Sequence, residues 1–340
     1  NRYIFNIIVI FFGILVIRFF YLNATASIED VDPAIAGFLG GLGLPIIFSW
    51  IVGGFFAAGV AFIIGKVALG LRSDYLAIVT LGISEIVVSV LKHEEWLSRG
   101  VKNVIGLKRP VPYEINLQNT DWFINLIAYL NTSKLNNIFD ISERQEVLKK
   151  LIIDGSSIFV KLSYAILFLI VMFIIFYFAN KAQLSPWGRM MRAIRDNEIA
   201  ANAMGKDVVK QHLIIFVIGA AIVGVAGAML VTLDGLFTPS AYRPLRFTFI
   251  IWIMVIVGGS GNNLGAIFGG FVIWFSWIEA APLTTFIINQ LTSSLEPTNA
   301  LKLHLLDSVP YFRYLFMGLI LLLILRYRPK GIIPEKIRHS

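Results

Sequence analysis

Eight apolar runs, at residues 3–22, 46–65, 75–91, 158–179, 213–232, 247–257, 264–278 and 314–325, dominate this chain. About 20 apolar residues suffice for a helix to cross the hydrocarbon core of a bilayer. Backbone groups surrounded by lipid must satisfy their own hydrogen bonds, so a helix is the form such a run takes. The first, second, fourth and fifth runs meet that length; the third is short, and the sixth and seventh are half-length. Only 15% of the 340 residues are charged, against about 25% in a soluble domain. The expected fold is therefore all-α, a polytopic transmembrane bundle of about eight hydrophobic segments, some short or re-entrant. One re-entrant candidate is 34–44, rich in glycine and followed by Pro45. Residues 1–340 read as one membrane domain.

Charge assigns the loops to sides. Loop 23–33 carries Glu29, Asp30 and Asp32 and no Lys or Arg. Loop 181–210 carries six basic residues (Lys181, Arg189, Arg192, Arg195, Lys206, Lys210) against three acidic ones, and the tail 326–340 carries five against Glu335. Loop 66–74 adds Lys66 and Arg72 against Asp74. Basic loops stay in the cytoplasm, which puts 66–74, 181–210 and 326–340 there. That placement also accounts for the net charge of +8 without nucleic acid as a partner. Parity then requires 247–278 to be a pair of arms turning at Gly258–Asn263, since a single crossing would leave the tail outside. The segment 92–156, with nine basic and eight acidic residues, becomes an extracytoplasmic insertion. Its Ser142-x-x-Gln145 spacing predicts a capped helix start. Arg18 and Lys161, near the ends of their runs, read as snorkelling anchors. The glycines at 37, 40, 41, 43, 219, 224 and 227 read as close helix packing.

Segment 181–210 is too long for a simple turn. Ser185 is a good N-cap and Pro186 suits the first helical position, so a helix starts there, with Arg189, Arg192 and Arg195 on neighbouring positions. Asp196 and Asn197 interrupt it. A second, two-turn helix runs from Glu198 to Met204 and stops at Gly205, the usual residue beyond a helix end. Its apolar face is Ile199, Ala200, Ala203 and Met204, small enough to seat in a groove on another protein. An amphipathic helix anchored by arginines to anionic lipid is the other reading.

These residues also carry a resemblance. Glu198-Ile-Ala-Ala-Asn-Ala-Met-Gly205 resembles the Glu-x-Ala-Ala-x-x-x-Gly coupling loop of ABC-importer permeases. The longer Gly188–Gly205 string and Arg72–Val87 resemble the M-type permease subunit of high-affinity branched-chain amino acid importers. Val257–Gly265 and Arg328-Pro-Lys-Gly-Ile332 are similar to further landmarks of that family, in the same order along the chain. The resemblance implies a permease in the bacterial plasma (inner) membrane, with Arg192, Arg195, Glu198, Ile199, Ala200, Ala201, Met204 and Gly205 meeting an ATPase. It implies two ATP-binding-cassette ATPase subunits, a homologous second permease subunit and an extracytoplasmic substrate-binding protein as partners. The family's N-terminal helix containing Gly, Ser and His is not found. Asn1 follows no basic leader, so the chain is expected to be an internal stretch. Residues 99–110 only loosely echo the family's Gly-Gly-x-Asn-Gly turn.

The nucleotide-cradling pattern Gly-x-x-x-x-Gly-Lys-[Ser/Thr] is absent: Gly65-Lys66 continues with Val67, and Gly205-Lys206 with Asp207. No cofactor is expected in this chain; ATP would be used by partner subunits. Glu85, with Thr80 and Ser84, reads as a polar contact on a permeation path or as an interhelical hydrogen bond, since an ionisable group at membrane depth faces protein or water. Gly258, Gly259 and Gly261 are further candidates for that path. The four histidines lack metal-ligand spacing, so no metal site is expected, and cysteine is absent. An ion-coupled secondary transporter, or a scaffold that recruits a partner through 185–210, are the alternative functions.

Overall fold

A computed structural model describes residues 15, 45–70, 73–94, 104, 105, 107, 109–293, 296 and 299–335. Apart from Leu15, the expected first run lies outside the described residues, as do loop 23–33, the re-entrant segment 34–44 and Arg18. The chain forms two compact units, 1–242 and 243–340. The first holds helices α1 (Ile46–Ala68), α2 (Ser73–His93), α3 (Glu114–Gln118), α4 (Asp121–Leu130), α5 (Thr132–Asn136), α6 (Ile141–Leu184), α7 (Pro186–Asp196), α8 (Glu198–Ala203) and α9 (Val208–Asp234). It also holds the two-residue strands β1 (Val104–Ile105) and β2 (Leu236–Phe237), which pair antiparallel. The second holds α10 (Pro244–Gly258), α11 (Asn263–Leu291), α12 (Ala300–Asp307) and α13 (Val309–Tyr327). Among the described residues, six helices are long and apolar enough to span a membrane: α1, α2 from Tyr75, α6, α9, α11 and α13. The protein is thus an all-α, multi-pass membrane bundle.

In the first unit α1 and α9 pack antiparallel through small residues. A Cβ on Gly54 would meet the Val225 side chain at 2.8 Å and the Ala221 carbonyl at 3.0 Å, and one on Gly224 would strike the Ala57 methyl. Lipid provides no hydrophobic drive between helices, so this close backbone approach is what holds such a pair. At one end of the pair the buried Trp50 Nε1 donates to Thr232 Oγ1 (3.0 Å), and Tyr164 Oη of α6 donates to the Thr232 carbonyl (3.1 Å). Three helices are joined through one threonine.

Helix α6 differs from its expected form. The 158–179 run and the anticipated helix near 142–151 are one element of 44 residues, about 66 Å long at 1.5 Å per residue. Its N-cap is Asp140 rather than Ser142: the Asp140 carboxylate accepts from both the backbone N–H (2.9 Å) and the hydroxyl (2.7 Å) of Ser142. The carboxylate is the stronger acceptor, so the helix starts earlier than a serine cap would allow. The stretch of α6 from Leu151 to Phe168 forms a platform for the insertion. Val111, Leu117, Phe123 and Ile127 bury against Val160 and Tyr164, and Gln118 Nε2 donates to the fully buried Ser156 (2.9 Å).

In the second unit the expected pair of arms exists, joined by residues 259–262. The first arm is short, but the second runs 29 residues to Leu291 rather than ending at 278. Glu279, Pro282 and Gln290 interrupt the apolar count without interrupting the helix. The arms cross on glycine: a Cβ on Gly258 would strike the Gly265 carbonyl, and one on Gly269 the Met254 carbonyl. Below them Ile253, Val257, Ile273, Trp277 and Met317 form the buried core. The tail then returns to the turn, with Ile332 N–H donating to the Val257 carbonyl and Ile333 N–H to that of Gly258, both at 2.9 Å. Asn262 Nδ2 donates to the Pro334 carbonyl (3.2 Å).

Candidate functional site: the α7–α8 handle

The handle is built as its cap chemistry dictates. Ser185 Oγ accepts from Gly188 N–H (3.2 Å), with Pro186 at the start of α7. Asn197 ends α7 and caps α8, its side chain accepting from Ala200 N–H (3.0 Å). Helix α8 closes on Gly205 at φ +78°. There Lys206 N–H reaches the Ala201 carbonyl (3.2 Å) and Gly205 N–H the Asn202 carbonyl (2.9 Å). That paired closure requires a left-handed residue, which glycine adopts without steric penalty. Asp207 then caps α9, accepting from Lys210 N–H at 3.0 Å.

The base of the handle is fastened on three sides. Ile194, Ala201 and Val208 form a small buried core with Met190 and Met191 against it. Trp187 Nε1 donates to Gln211 Oε1 (3.0 Å), tying α7 to α9. At the end of α6 the carbonyls left without helical partners are met by arginine: Arg192 Nη1 donates to Gln183 O (2.9 Å) and Arg189 Nη1 to Leu184 O (3.4 Å). Cations at a helix C-terminus also oppose its dipole favourably. A Cβ on Gly188 would collide with the Ala182 and Gln183 carbonyls, so glycine is needed where α7 folds back on α6.

The tip is the reverse of the base. Ile199 and Met204 are 84% and 81% exposed, whereas Ala201 is 8% exposed. Glu198, Ala200 and Ala203 are exposed beside them. The outward surface thus holds Glu198 beside Ile199, Ala200, Ala203 and Met204, the four residues that the spacing groups on one apolar face. Ala201 faces the base, Arg192 holds α7 to α6, and Arg195 pairs with Asp196 (3.1 Å). Sequence reasoning missed Trp187, Gly188 and Gln211. A glycine in the first turn of a helix was the one local signal available.

The residues suggested for a substrate path fall into two groups. Thr80 and Ser84, half-buried on α2, donate their hydroxyls to their own helix, Thr80 to Leu76 O (2.9 Å) and Ala77 O (3.0 Å), and Ser84 to Leu81 O (2.7 Å). Glu85 is exposed on the same helix. Gly258, Gly259 and Gly261 stand in the second unit, at the α10–α11 turn. There Gly259 abuts Ile333 and Gly331, and Gly261 abuts the Glu335 side chain. Their visible work is packing. Among the described residues, no three His, Asp or Glu side chains cluster as a metal site would need.

Known proteins resemble the chain over most of its length. The family model described as branched-chain amino acid transport system / permease component matches residues 10–325. The probable branched-chain amino acid transport permease protein LivM of Methanocaldococcus jannaschii is 26% identical over 316 residues, covering 92% of this chain and 74% of that protein. The high-affinity branched-chain amino acid transport system permease protein LivM of Escherichia coli is 26% identical over 283 residues, covering 83% of this chain. Its counterpart in Salmonella typhimurium is 25% identical over 287 residues. The chain spans 56% of the length of each of these two bacterial relatives. No solved structure matches it significantly.

Proposed function

The chain belongs to the branched-chain amino acid transport permease family, and from that premise we propose that it is the membrane subunit of an ATP-binding-cassette importer. Its cargo on this reading is a branched-chain or related hydrophobic amino acid, the class named for its relatives. Both units act together as one permease domain in the plasma membrane, with 92–156 outside and 181–210 and 326–340 in the cytoplasm. ATP is hydrolysed by two separate subunits; a second permease subunit completes the path and an extracytoplasmic binding protein delivers the substrate.

The observation that carries the reading is the contrast between tip and base in the handle. An ATPase groove receives the exposed face of Ile199, Ala200 and Met204, with Glu198 at its edge. Small side chains admit close approach, and methionine adapts to an irregular surface. When nucleotide closes the ATPase pair, α8 moves with it. The base is fastened both to the end of α6 and to the start of α9, so the displacement enters two spanning helices together. A ligand shifts such an equilibrium only through its different affinity for the two states, and the ATPase supplies that difference through α8.

The test is uptake of labelled leucine by membranes holding the assembled transporter, with Glu198→Lys or Gly205→Asp in this chain. Uptake is expected to vanish while the chain stays inserted and the ATPase no longer co-purifies. Normal transport by both variants would remove the coupling role.

A further inference from the structure

Helix α4 carries a wide apolar arc, and only part of it is covered within the chain. Phe123 and Ile127 are buried against α6. The flanking face, turned about 90° around the helix, carries Trp122, Leu126, Tyr129 and Leu130 at i, i+4, i+7 and i+8, all exposed. A surface helix in contact with water alone turns polar residues outward; here only Asp121 and Asn125 do so.

The place where α4 sits identifies what covers that face. Phe123 packs edge-on against Phe159 of α6 (5.7 Å between ring centres) and Trp122 against the same ring (6.0 Å). Ile127 fills the space beside Gly155, where a Cβ would come within 2.6 Å of it. Residue 158 is where the membrane-crossing run of α6 begins, and from there Ile158, Leu162 and Ile166 are exposed at successive turns. The outer stripe of α4 is therefore continuous, at Phe159, with the start of a lipid-facing stripe. Moving from Phe123 to Ile127 takes the contact from residue 159 to 155, roughly 6 Å toward the N-terminal end of α6. The Trp122 end of α4 lies deeper and the Leu130 end shallower. Lys161, exposed one turn inside the boundary, has a stem long enough to bring its ammonium back to the headgroups. Trp and Tyr are the residues favoured at that level, where one part of the ring meets acyl chains and the other meets water.

We infer that α4 is an interfacial element: its Trp122–Leu126–Leu130 face dips obliquely into the leaflet at the N-terminal end of the α6 span and anchors the insertion to lipid. The inference rests on α6 crossing the bilayer and not on the coupling reading. Contact with lipid holds the insertion at a set depth beside the membrane, leaving its other surfaces for protein partners.

The chain has no cysteine, so single-cysteine variants can be spin-labelled directly. Full-length Leu126→Cys and Leu130→Cys variants, in vesicles of phosphatidylcholine and phosphatidylglycerol, are compared with Ile170→Cys as the bilayer reference and Lys149→Cys as the water reference. The measured quantity is collision with oxygen, which concentrates in lipid, relative to a water-soluble nickel chelate. The ratio at position 126 is expected to be several-fold above that at 149 and below that at 170, with position 130 between 126 and 149. A water-like ratio at 126 overturns the inference. So does an immobilised label screened from both reagents, which would mean that a protein covers the face. A water-like ratio at 170 would instead remove the membrane span itself, and the inference with it.

Discussion

The handle at 185–207 and the turn at 258–263 are both short glycine-containing links between helices, yet they treat their surroundings in opposite ways. The turn is covered: Ile332 and Ile333 hydrogen-bond across it, and Gly259 lies against Gly331 with no space for a side chain. The handle is covered only at its base and presents Ile199 and Met204 at its tip. The contrast separates glycines that close a structure from those that shape a contact. Gly258 is needed because atoms are already in the way, and Gly331 both for that reason and for its φ of +79°. At Gly205 a methyl group would meet nothing within 4 Å, and glycine is needed there for its φ of +78°.

The contrast is tested most severely at the covered turn. Gly258→Val or Gly331→Val drives a side chain into backbone, and a loss of roughly 3 kcal/mol or more is expected from such overpacking. Detergent-solubilised variants should show a lowered melting temperature or fail to accumulate. At the open tip, an Ile199→Ser, Met204→Ser double variant should lose uptake more than tenfold, yet stay within about 0.5 kcal/mol of the parent in stability, as exposed substitutions do. A matching fall in both quantities would erase the distinction. Between these extremes lies Trp50→Phe, which removes the indole donor to Thr232 and should cost about 1–2 kcal/mol, read as a lower melting temperature.

Smaller effects probe the handle and the helix caps. Asn197→Ala removes the α8 cap and should cost about 1 kcal/mol locally, seen as faster amide exchange at Ala200 with uptake reduced but not abolished. The smallest effect is one of pH. The Ser142 hydroxyl and then its backbone N–H hold the Asp140 carboxyl below its ordinary value of 3.8. A lowered folded pKa means the cap's contribution is complete above that ordinary value and fades as pH falls through the lowered one. Carbon-13 titration of Asp140 should therefore show a midpoint below 3.8, and Ser142→Ala should move it back up.

Much of the handle was legible because caps are local. Ser185, Pro186, Asn197 and Gly205 each act within a few residues of themselves, so spacing alone locates both helices. Arg192 was not legible in the same way: its partner Gln183 O lies nine residues back and comes within reach only when α7 folds over the end of α6. The length of α11 was obscured because hydropathy counts Glu279 and Gln290 as ends, while a helix ends only where its backbone hydrogen bonds do.

Apolar run length, charge bias and cap chemistry are short-range properties, and they were enough to specify a multi-pass helical membrane protein with a capped, two-helix basic loop. Folding in three dimensions was needed to choose which glycines serve as joints, to close the α10–α11 turn with the tail at 328–334, and to turn Ala201 inward while Ile199 faces out. The closed turn joins residues as far apart as Asn262 and Pro334, 72 positions along the chain, and Ala201 turns inward only because the neighbouring helices bring Ile194 and Val208 together on it. No local pattern encodes how closely two backbones approach.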